Sequence, residues 1–242
     1  MRNIYGKKIV LLTVMCCGLM MSVMAQKVNA GNHNFREFQS KPIYFGITLG
    51  FNSSNFQIQH SDKFILNDSF LLAEARTGPG FNVSLVTNLK MGDHFDFRFL
   101  PGFSFAERSI AYQKVNDDSF EDVRTLESVF VQMPFHVRYK SAPYKDKRVF
   151  AIAGIKYTYD VASNARVRKD QAGSLIKISP HDYAIEIGAG VQFFLPLFIF
   201  SPEIKFSQGL SNTLIYNGAL EQSRVLEKVQ SRTFTISLHF EG

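Results

Sequence analysis

Few side chains in this 242-residue chain have the types and spacing that catalysis or metal binding would need. No histidine is paired with a nearby carboxylate at the spacing of a metal site, and no phosphate-cradling loop, nucleophile elbow or zinc motif is present. The six histidines are scattered, at His33, His60, His94, His136, His181 and His239. The sequence therefore predicts no catalytic residue, no metal site and no cofactor-binding site.

Two short motifs could still suggest chemistry. His60-Ser61-Asp62 combines the residue types of an acyltransferase site, but three adjacent residues rarely point at one reacting atom. Gly188-Ala189-Gly190 lies within a pattern typical of a strand, so we interpret it as a packing site and not as a nucleotide motif. We therefore predict that the protein is not an enzyme, with a lipid-modifying barrel enzyme as an alternative.

Residues 1–25 have the organisation of a secretory signal peptide. Three basic residues open the segment, an apolar run follows over 9–24, and Ala25 completes a match to the small-residue cleavage rule. The apolar run is short for a membrane helix, which needs about 20 residues. We predict cleavage after Ala25, which leaves a polar, periplasmic N-terminal tail over 26–42.

Both cysteines, Cys16 and Cys17, lie in that apolar run. A lipoprotein cysteine follows a small residue, whereas Met15 precedes Cys16, so we do not predict lipidation. The mature chain would then have no disulfide, thiolate metal site or thiol nucleophile. Loss of the signal removes three of 27 basic residues and no acidic residue, which lowers the formal net charge from +6 to +3. That excess is too small to indicate nucleic-acid binding.

Beyond residue 42 the sequence alternates between large apolar residues and small or polar ones. Phe45, Ile47, Leu49 and Phe51 occupy every second position, and a period of two indicates a strand with one apolar face. Seven more segments show the pattern, and they begin at Phe81, Phe95, Val129, Val149, Tyr183, Phe200 and Thr233. Most of these segments exceed the roughly 5–6 residues of ordinary strands and are long enough for a tilted membrane strand.

The predicted connections alternate between long and short. We predict long loops over 58–79, 113–125, 162–180 and 210–230, and short turns over 92–93, 142–147 and 196–197. Outer-membrane barrels combine short periplasmic turns with longer external loops. The sequence therefore predicts an all-β fold over 43–242: an eight-stranded antiparallel transmembrane β-barrel, an up-and-down meander in the outer membrane with both termini periplasmic.

The polar face of these segments distinguishes a membrane barrel from a soluble one. It carries charges of both signs between glycines, namely Asp96, Arg98, His136, Arg138, Lys156, Asp160, Glu186, Glu203, Lys205 and His239. Eight strands leave a lumen that side chains just fill, and buried charges are tolerated when they are paired. In the alternative, a soluble barrel or sandwich, the same charges face water around a Phe-rich core. The uniform apolar face favours a membrane barrel with a closed, polar, side-chain-filled lumen.

Three prolines fall within the predicted strands, at Pro101, Pro134 and Pro202. Proline has no N–H to donate to a neighbouring strand. We therefore expect each of them to mark a bulge or a strand end.

Several stretches resemble the PorT family of Bacteroidota outer-membrane proteins. They are KPIYFGITLGFNSSNF, RTGPGFNVSLVTNLKMGDHFDFRFLPGFSFAERSIAY and EIGAGVQFFLPLFIFSPEIKFSQG, and they include G-x-x-x-G-F-N at 46–52 and L-P-G-F-x-F at 100–105. The resemblance implies a non-enzymatic accessory component of type IX protein secretion, which exports and matures proteases such as gingipain-like enzymes. Its partners would be outer-membrane lipid and other secretion-system proteins, with no nucleic acid and no small-molecule substrate. A small barrel for adhesion or membrane integrity is the alternative function.

Overall fold

The computed structural model describes residues 38, 40–61, 70–114, 121–162, 177–216, 223 and 225–242. The signal peptide predicted over 1–25 and most of the tail predicted over 26–42 lie outside these residues. Within the described part of the chain, no helix is long and apolar enough to cross a membrane.

The described residues form eleven strands, of which nine build one closed sheet. The strands are β1 (Ile43–His60), β2 (Phe70–Lys90), β3 (Phe95–Phe99), β4 (Gly102–Lys114), β5 (Glu121–Lys140), β6 (Lys147–Asp160), β7 (Lys177–Ile178), β8 (His181–Phe194), β9 (Ile199–Gly209), β10 (Leu214–Ile215) and β11 (Leu226–Glu241). β7 and β10 pair only with each other.

Each strand of the closed sheet pairs antiparallel with its neighbours in the chain. β3 and β4 are two halves of one wall strand, because both pair with β2 and with β5. β11 pairs with β1 over most of its length, from Gly46↔Glu241 to His60↔Leu226, and this pairing closes the ring. The wall therefore has eight strands, which confirms the predicted up-and-down barrel.

The two ends of the barrel differ in their connections. At one end, here called the short-turn end, the wall strands are joined by 91–94, 141–146 and 195–198. The first and last strands also meet there, since the Gly242 N–H donates to the Phe45 carbonyl at 2.8 Å. The opposite end, here called the loop end, carries the connections 61–69, 115–120, 161–180 and 210–225.

Around the middle of the wall the large apolar side chains point outward. We call this exposed band the lipid belt; it includes Phe45, Ile47, Leu49, Phe51, Phe81, Val83, Leu85, Phe103, Phe135, Val137, Ile155, Ile185, Ile187, Ile204, Phe206, Phe234 and Ile236. The alternate positions of the same strands are mostly polar and are buried in the lumen. A soluble barrel would need the opposite arrangement, so the apolar face belongs to a membrane barrel.

Several strands continue past the lipid belt toward the loop end, and there the two faces exchange character. In β1 the outward positions change from Phe51 to the exposed Gln59, while the inward positions change from Asn52 to the buried Phe56. In β4 the inward Ile110 and Tyr112 are fully buried. Seven inward residues form an apolar core here, the loop-end cluster of Phe56, Ile110, Tyr112, Ile178, Val225, Leu226 and Val229.

This exchange explains why the predicted loops were too long. The loops predicted over 58–79 and 113–125 shorten to 61–69 and 115–120, because the flanking strands continue. β11 likewise begins at Leu226, inside the loop predicted over 210–230. The strands continue with register shifts between Gln59 and His60 in β1 and between Thr77 and Gly80 in β2. In β1 and β4 the apolar residues move to the other face, which interrupts the alternation that marks a strand in sequence.

The prediction for the three prolines is right for one of them. Pro101 lies in the break between β3 and β4, so it marks a strand end as predicted. Pro134 lies inside β5, which pairs with β6 without a register shift, so the prediction is wrong there. The Leu100 N–H donates to the Pro134 carbonyl at 3.2 Å, which places Pro134 opposite that break. The missing N–H of Pro134 therefore removes no hydrogen bond from a regular strand pairing.

Pro202 also lies inside a continuous strand, so the predicted bulge or strand end is wrong for it as well. It pairs with Leu238 in the uninterrupted ladder between β9 and β11. On the other side of β9, the ladder with β8 stops at Gly190↔Glu203 and resumes at Phe193↔Phe200. Pro202 therefore lies where one ladder is interrupted, and proline is tolerated at such a position.

Candidate functional site: the charged lumen

The lumen at the level of the lipid belt is filled by charged side chains. All ten residues of the predicted polar face are buried there, as predicted: Asp96, Arg98, His136, Arg138, Lys156, Asp160, Glu186, Glu203, Lys205 and His239. Their strands place them because every second residue of a wall strand points inward. Nine of them, all except Asp160, join two neighbouring sets of ion pairs and hydrogen bonds, which together we call the lumen network.

The part of the network nearest the loop end is built around Glu186 of β8. Its carboxylate oxygens lie 3.0 Å from Lys156 Nζ and 3.5 Å from Lys205 Nζ. His136 Nε2 lies 2.6 Å from the same carboxylate. Three neighbouring strands thus direct nitrogen groups at one buried acid, which compensates the loss of its hydration.

The middle of the network joins β3, β9 and β11. Arg98 donates to Glu203 Oε2 and to Glu241 Oε1, both at 2.9 Å. His239 Nε2 lies 3.3 Å from Glu203, and its Nδ1 lies 2.6 Å from Thr48 Oγ1. One arginine therefore bridges two carboxylates from different strands, as the planar guanidinium allows.

The part nearest the short-turn end is centred on Arg138 of β5. Its Nη2 lies 2.6 Å from Asp96 Oδ2 and donates to Asn88 Oδ1 at 3.0 Å. The same nitrogen donates to the Tyr44 hydroxyl, and Lys140 Nζ donates to Asp96 Oδ1. Tyr44 is 2 % exposed, so this hydroxyl is satisfied inside the protein.

Small residues make room for these side chains. A Cβ added to Gly154 of β6 would lie 2.7 Å from Cδ2 of the His136 ring, and one added to Gly190 of β8 would lie 2.5 Å from Cζ of the Phe150 ring. Gly190 belongs to Gly188-Ala189-Gly190, and Ala189 points outward next to Ala151 across the ladder. The motif is therefore a packing site within β8, as predicted.

Several members of the lumen were not identified from the sequence, and four of them lie at the short-turn end. Tyr44, Lys140, Arg148 and Glu241 are all buried, and each lies at the short-turn end of its strand. Arg148 Nε donates to Gln192 Oε1 at 2.6 Å, and Gln192 donates to Glu241 at 3.3 Å, so they extend the network. Alternation could have identified two of the four, since Glu241 continues the inward series of His239 and Lys140 continues that of Arg138.

Apolar residues cover the network at both ends. The loop-end cluster lies above it, and Arg108 connects the two layers with its guanidinium between the rings of Phe56 and Phe130, at 4.5 and 4.7 Å. At the short-turn end a smaller apolar group covers it, formed by Phe38, Tyr44, Phe194 and Ile199. Among the described residues, side chains from several strands therefore fill the lumen at the level of the lipid belt.

The residues singled out for catalysis lie apart from this network. His60 ends β1 and is exposed, and the Ser61 N–H donates to the Val225 carbonyl at 3.0 Å. Asp62 lies outside the described residues, so the proposed grouping of three side chains stays untested. No group of three or more potential metal ligands occurs among the residues that the structure describes.

Comparison with solved structures identifies small outer-membrane barrels. OprG of Pseudomonas aeruginosa is 10% identical, with a TM-score of 0.48 over 83% of this chain and 94% of its own. Neisserial surface protein A is 9% identical, with a TM-score of 0.41 over 81% and 96%. The attachment invasion locus protein Ail of Yersinia pestis, solved with the heparin analogue sucrose octasulfate, is 13% identical, with a TM-score of 0.37 over 84% and 100%.

A sequence comparison with curated proteins gives no match. The profile of a protein family does match, over residues 24–214, and its description is an outer membrane protein beta-barrel domain. The match covers most of the wall strands, and it agrees with the outward apolar belt and the charged lumen. The protein is therefore an outer-membrane barrel and belongs to the outer membrane protein beta-barrel domain family.

Proposed function

We propose that this protein is a non-enzymatic adhesion barrel, which binds partners through a sheet that projects beyond the lipid belt at its loop end. The observation that carries this proposal is the length of three wall strands. β2, β4 and β5 continue together toward the loop end after their other neighbours have separated from them. We call this three-stranded extension, over 70–78, 106–114 and 121–128, the projecting sheet.

The two outer strands of the projecting sheet have open edges in the described part of the chain. β2 pairs with β4 as far as Phe70↔Lys114, but its pairing with β1 ends at Ser54↔Gly78. β5 pairs with β4 as far as Gln113↔Glu121, but its pairing with β6 begins only at Phe130↔Asp160. An open strand edge presents backbone N–H and C=O groups to which a partner's extended segment can add.

The sealed lumen supports a binding role over a transport role. The lumen network and the apolar groups above and below it fill the interior, so the barrel offers a surface and not a channel. In our proposal the loop end faces outward and the short-turn end, with both termini, faces the periplasm, as in other barrels with short periplasmic turns.

A second candidate function is the accessory role in type IX protein secretion. It is favoured by the PorT-like stretches quoted above, which map onto β1, β2 to β4 and β8 to β9. In that case the same wall and ends would contact other secretion-system proteins. The filled lumen agrees with an accessory role, since no cargo could pass through it.

Cysteine labelling tests the proposed orientation. Gln59→Cys places a thiol at the loop end, and Lys145→Cys places one in a short turn. After cleavage of the predicted signal peptide, each variant carries one cysteine. We expect a membrane-impermeant maleimide to label Gln59→Cys in intact cells and Lys145→Cys only after lysis. The reverse pattern would overturn the orientation.

A deletion strain separates the two functions. If the protein is an adhesin, loss of the gene lowers attachment to an epithelial-cell monolayer while protease secretion stays intact. If it serves secretion, the secreted protease activity falls instead. Intact attachment in the deletion strain would refute the adhesion proposal.

Blocking the projecting sheet then locates the binding surface. A maleimide-linked polyethylene glycol on Arg76→Cys of β2 should lower attachment. The matched control carries the same polymer on Gln59→Cys of β1, outside the projecting sheet, and should attach normally.

A further inference from the structure

A cavity of about 260 Å³ opens at the short-turn end of the barrel, below the lumen network. Its described lining carries four basic side chains, on Lys41, Lys90, Lys140 and Arg148, and one carboxylate, on Asp93. Lys140 is 1 % exposed and Arg148 is 6 % exposed, so the inner half of the cavity is built from buried cations. Both donate a hydrogen bond to a neighbouring side chain, Lys140 to Asp96 and Arg148 to Gln192.

Lys90 is the cation best placed to meet a ligand. It occupies the inward position at the end of β2 and is half-buried. Its ammonium group donates to the Phe38 carbonyl and lies 5.5 Å from the centre of the Tyr44 ring. Among the described residues, no carboxylate lies within ion-pairing distance of it. Its direct contacts are thus a neutral acceptor and an aromatic face, and the nearby Asp96 is engaged by Arg138 and Lys140.

The charge of the whole region is positive. Five cations occupy the lumen from Arg98 to the short-turn end in the described residues, namely the buried Arg98, Arg138, Lys140 and Arg148 and the half-buried Lys90. Three buried carboxylates face them, on Asp96, Glu203 and Glu241, while the exposed Lys41 and Asp93 at the rim of the cavity carry opposite charges. The excess of two positive charges lies toward the cavity, because the three buried carboxylates are engaged deeper in the lumen.

We propose that this cavity binds a phosphate group. A phosphate monoester carries about −1.5 to −2 charges at neutral pH, which matches the excess of two, whereas a carboxylate carries one. Lysine ammonium groups bind phosphate as point charges, and the arginine adds a planar pair of donors. The site does not depend on the adhesion proposal, because it lies at the opposite end of the barrel.

Two sources could supply this phosphate group: a lipid headgroup at the membrane surface or a free phosphate ester. The rim of the cavity lies beside the edge of the lipid belt, where Ile43 of β1 is exposed to the membrane side. A headgroup would therefore have a short path to Lys41 and Lys90. The chemistry of recognition is the same for both sources.

The first experiment is a titration of the full chain, purified in a glucoside detergent that contains no phosphate, with inorganic phosphate at low ionic strength. We expect saturable binding of one phosphate per chain by calorimetry. Lys90→Gln should weaken it at least about tenfold, since a charged hydrogen bond is lost. The matched control is Lys145→Gln, which removes the same charge from an exposed turn outside the cavity lining and should bind like the wild type.

A second measurement distinguishes the sources. If a lipid headgroup is the ligand, mixed micelles that contain phosphatidic acid, whose headgroup is a phosphate monoester, compete with inorganic phosphate, whereas micelles with uncharged diacylglycerol do not. If only a free ester binds, neither lipid competes. Absence of saturable phosphate binding, or equal binding by Lys90→Gln and the wild type, would overturn the proposal.

Discussion

The lumen at the level of the lipid belt and the lumen at the loop end are built by the same inward faces of the same strands, yet they have opposite chemistry. In β4 the inward series runs from Ser104 through Arg108 to Ile110 and Tyr112. The outward series changes in the opposite sense, from Phe105 to Glu107. The wall therefore encloses mostly polar groups at the level of the lipid belt and apolar groups beyond it.

The two layers also stabilise the barrel by different means. At the loop end, burial of apolar surface favours folding directly. In the lipid belt that surface stays on the outside, so the interior relies on complete pairing of buried charges. The ionic layer should consequently tolerate the loss of one partner less well than the apolar layer tolerates a smaller side chain.

The largest expected effect is that of Arg138→Ala. This change removes one of the two buried cations from each of two carboxylates, which leaves Asp96 with Lys140 and Glu241 with Arg98. Breaking a buried pair in this way costs about 3–5 kcal/mol of the free energy of unfolding. Urea unfolding in detergent micelles, followed by heat-modifiable gel migration, measures the loss.

Arg232→Ala is the matched control for that change. Arg232 is exposed at the loop-end side of β11 and donates to Gln57 at 2.7 Å. Its removal should change the free energy of unfolding by about 0.5 kcal/mol or less. Equal losses for the two arginines would mean that the network contributes nothing beyond a surface contact.

Ile110→Ala should have the next largest effect. Ile110 is fully buried in the loop-end cluster, and truncation of such a residue costs about 2–5 kcal/mol. Because the lumen network is untouched, we expect the loop end to become sensitive to external protease while the membrane-embedded fragment stays folded. Glu107→Ala on the outward face of β4 is the control. Complete unfolding of Ile110→Ala would contradict the separation into two layers.

A charge on the outward face tests where the lipid belt ends. Ile47→Arg places a cation against lipid and should cost about 2–4 kcal/mol near the bilayer midplane. Gln59→Arg lies on the same face of β1 beyond the belt and should cost about 0.5 kcal/mol or less. Unfolding from lipid vesicles compares the two, and similar costs would place the membrane boundary elsewhere.

Tyr44→Phe should have the smallest effect. It removes the hydroxyl that accepts from Arg138 but keeps the ring that packs in the short-turn end. Loss of one hydrogen bond to a charged group costs about 1.5–3 kcal/mol, and the lower limit applies because Asp96 and Asn88 still hold the arginine. Urea unfolding in detergent micelles, as for Arg138→Ala, measures this change in the free energy of unfolding. A loss as large as that of Arg138→Ala would make the tyrosine essential to the network.

The sequence was sufficient to predict the barrel, its eight wall strands and ten residues of the lumen. Alternation is a local pattern, and in the lipid belt each strand shows it with a constant apolar face, as Phe45 to Phe51 illustrate. The pairing of Arg98 with both Glu203 and Glu241 could not be predicted. Which residues of distant strands lie close together depends on the register and shear of the barrel, and alternation along one strand determines neither.

The loop end was mispredicted for a different reason. Ile110 and Tyr112 continue β4 on the inward face. The apolar residues of this strand therefore change from odd-numbered to even-numbered positions after Phe105. A search for unbroken alternation ends the strand at that switch. Tyr44 and Arg148 were missed because they lie at strand starts, where a single polar or aromatic residue gives no period.

Closure of the ring by β1 and β11 has a consequence for the time course of biogenesis. Thr48 and His239 touch across the last seam to close, although 191 positions separate them in the chain. Contacts between such distant segments form slowly, since a long loop must be ordered first. The edge of the first strand therefore stays unpaired, with its apolar side chains exposed, until the last strand pairs with it. We therefore expect a factor that shields these side chains during that interval to raise the yield of the closed barrel.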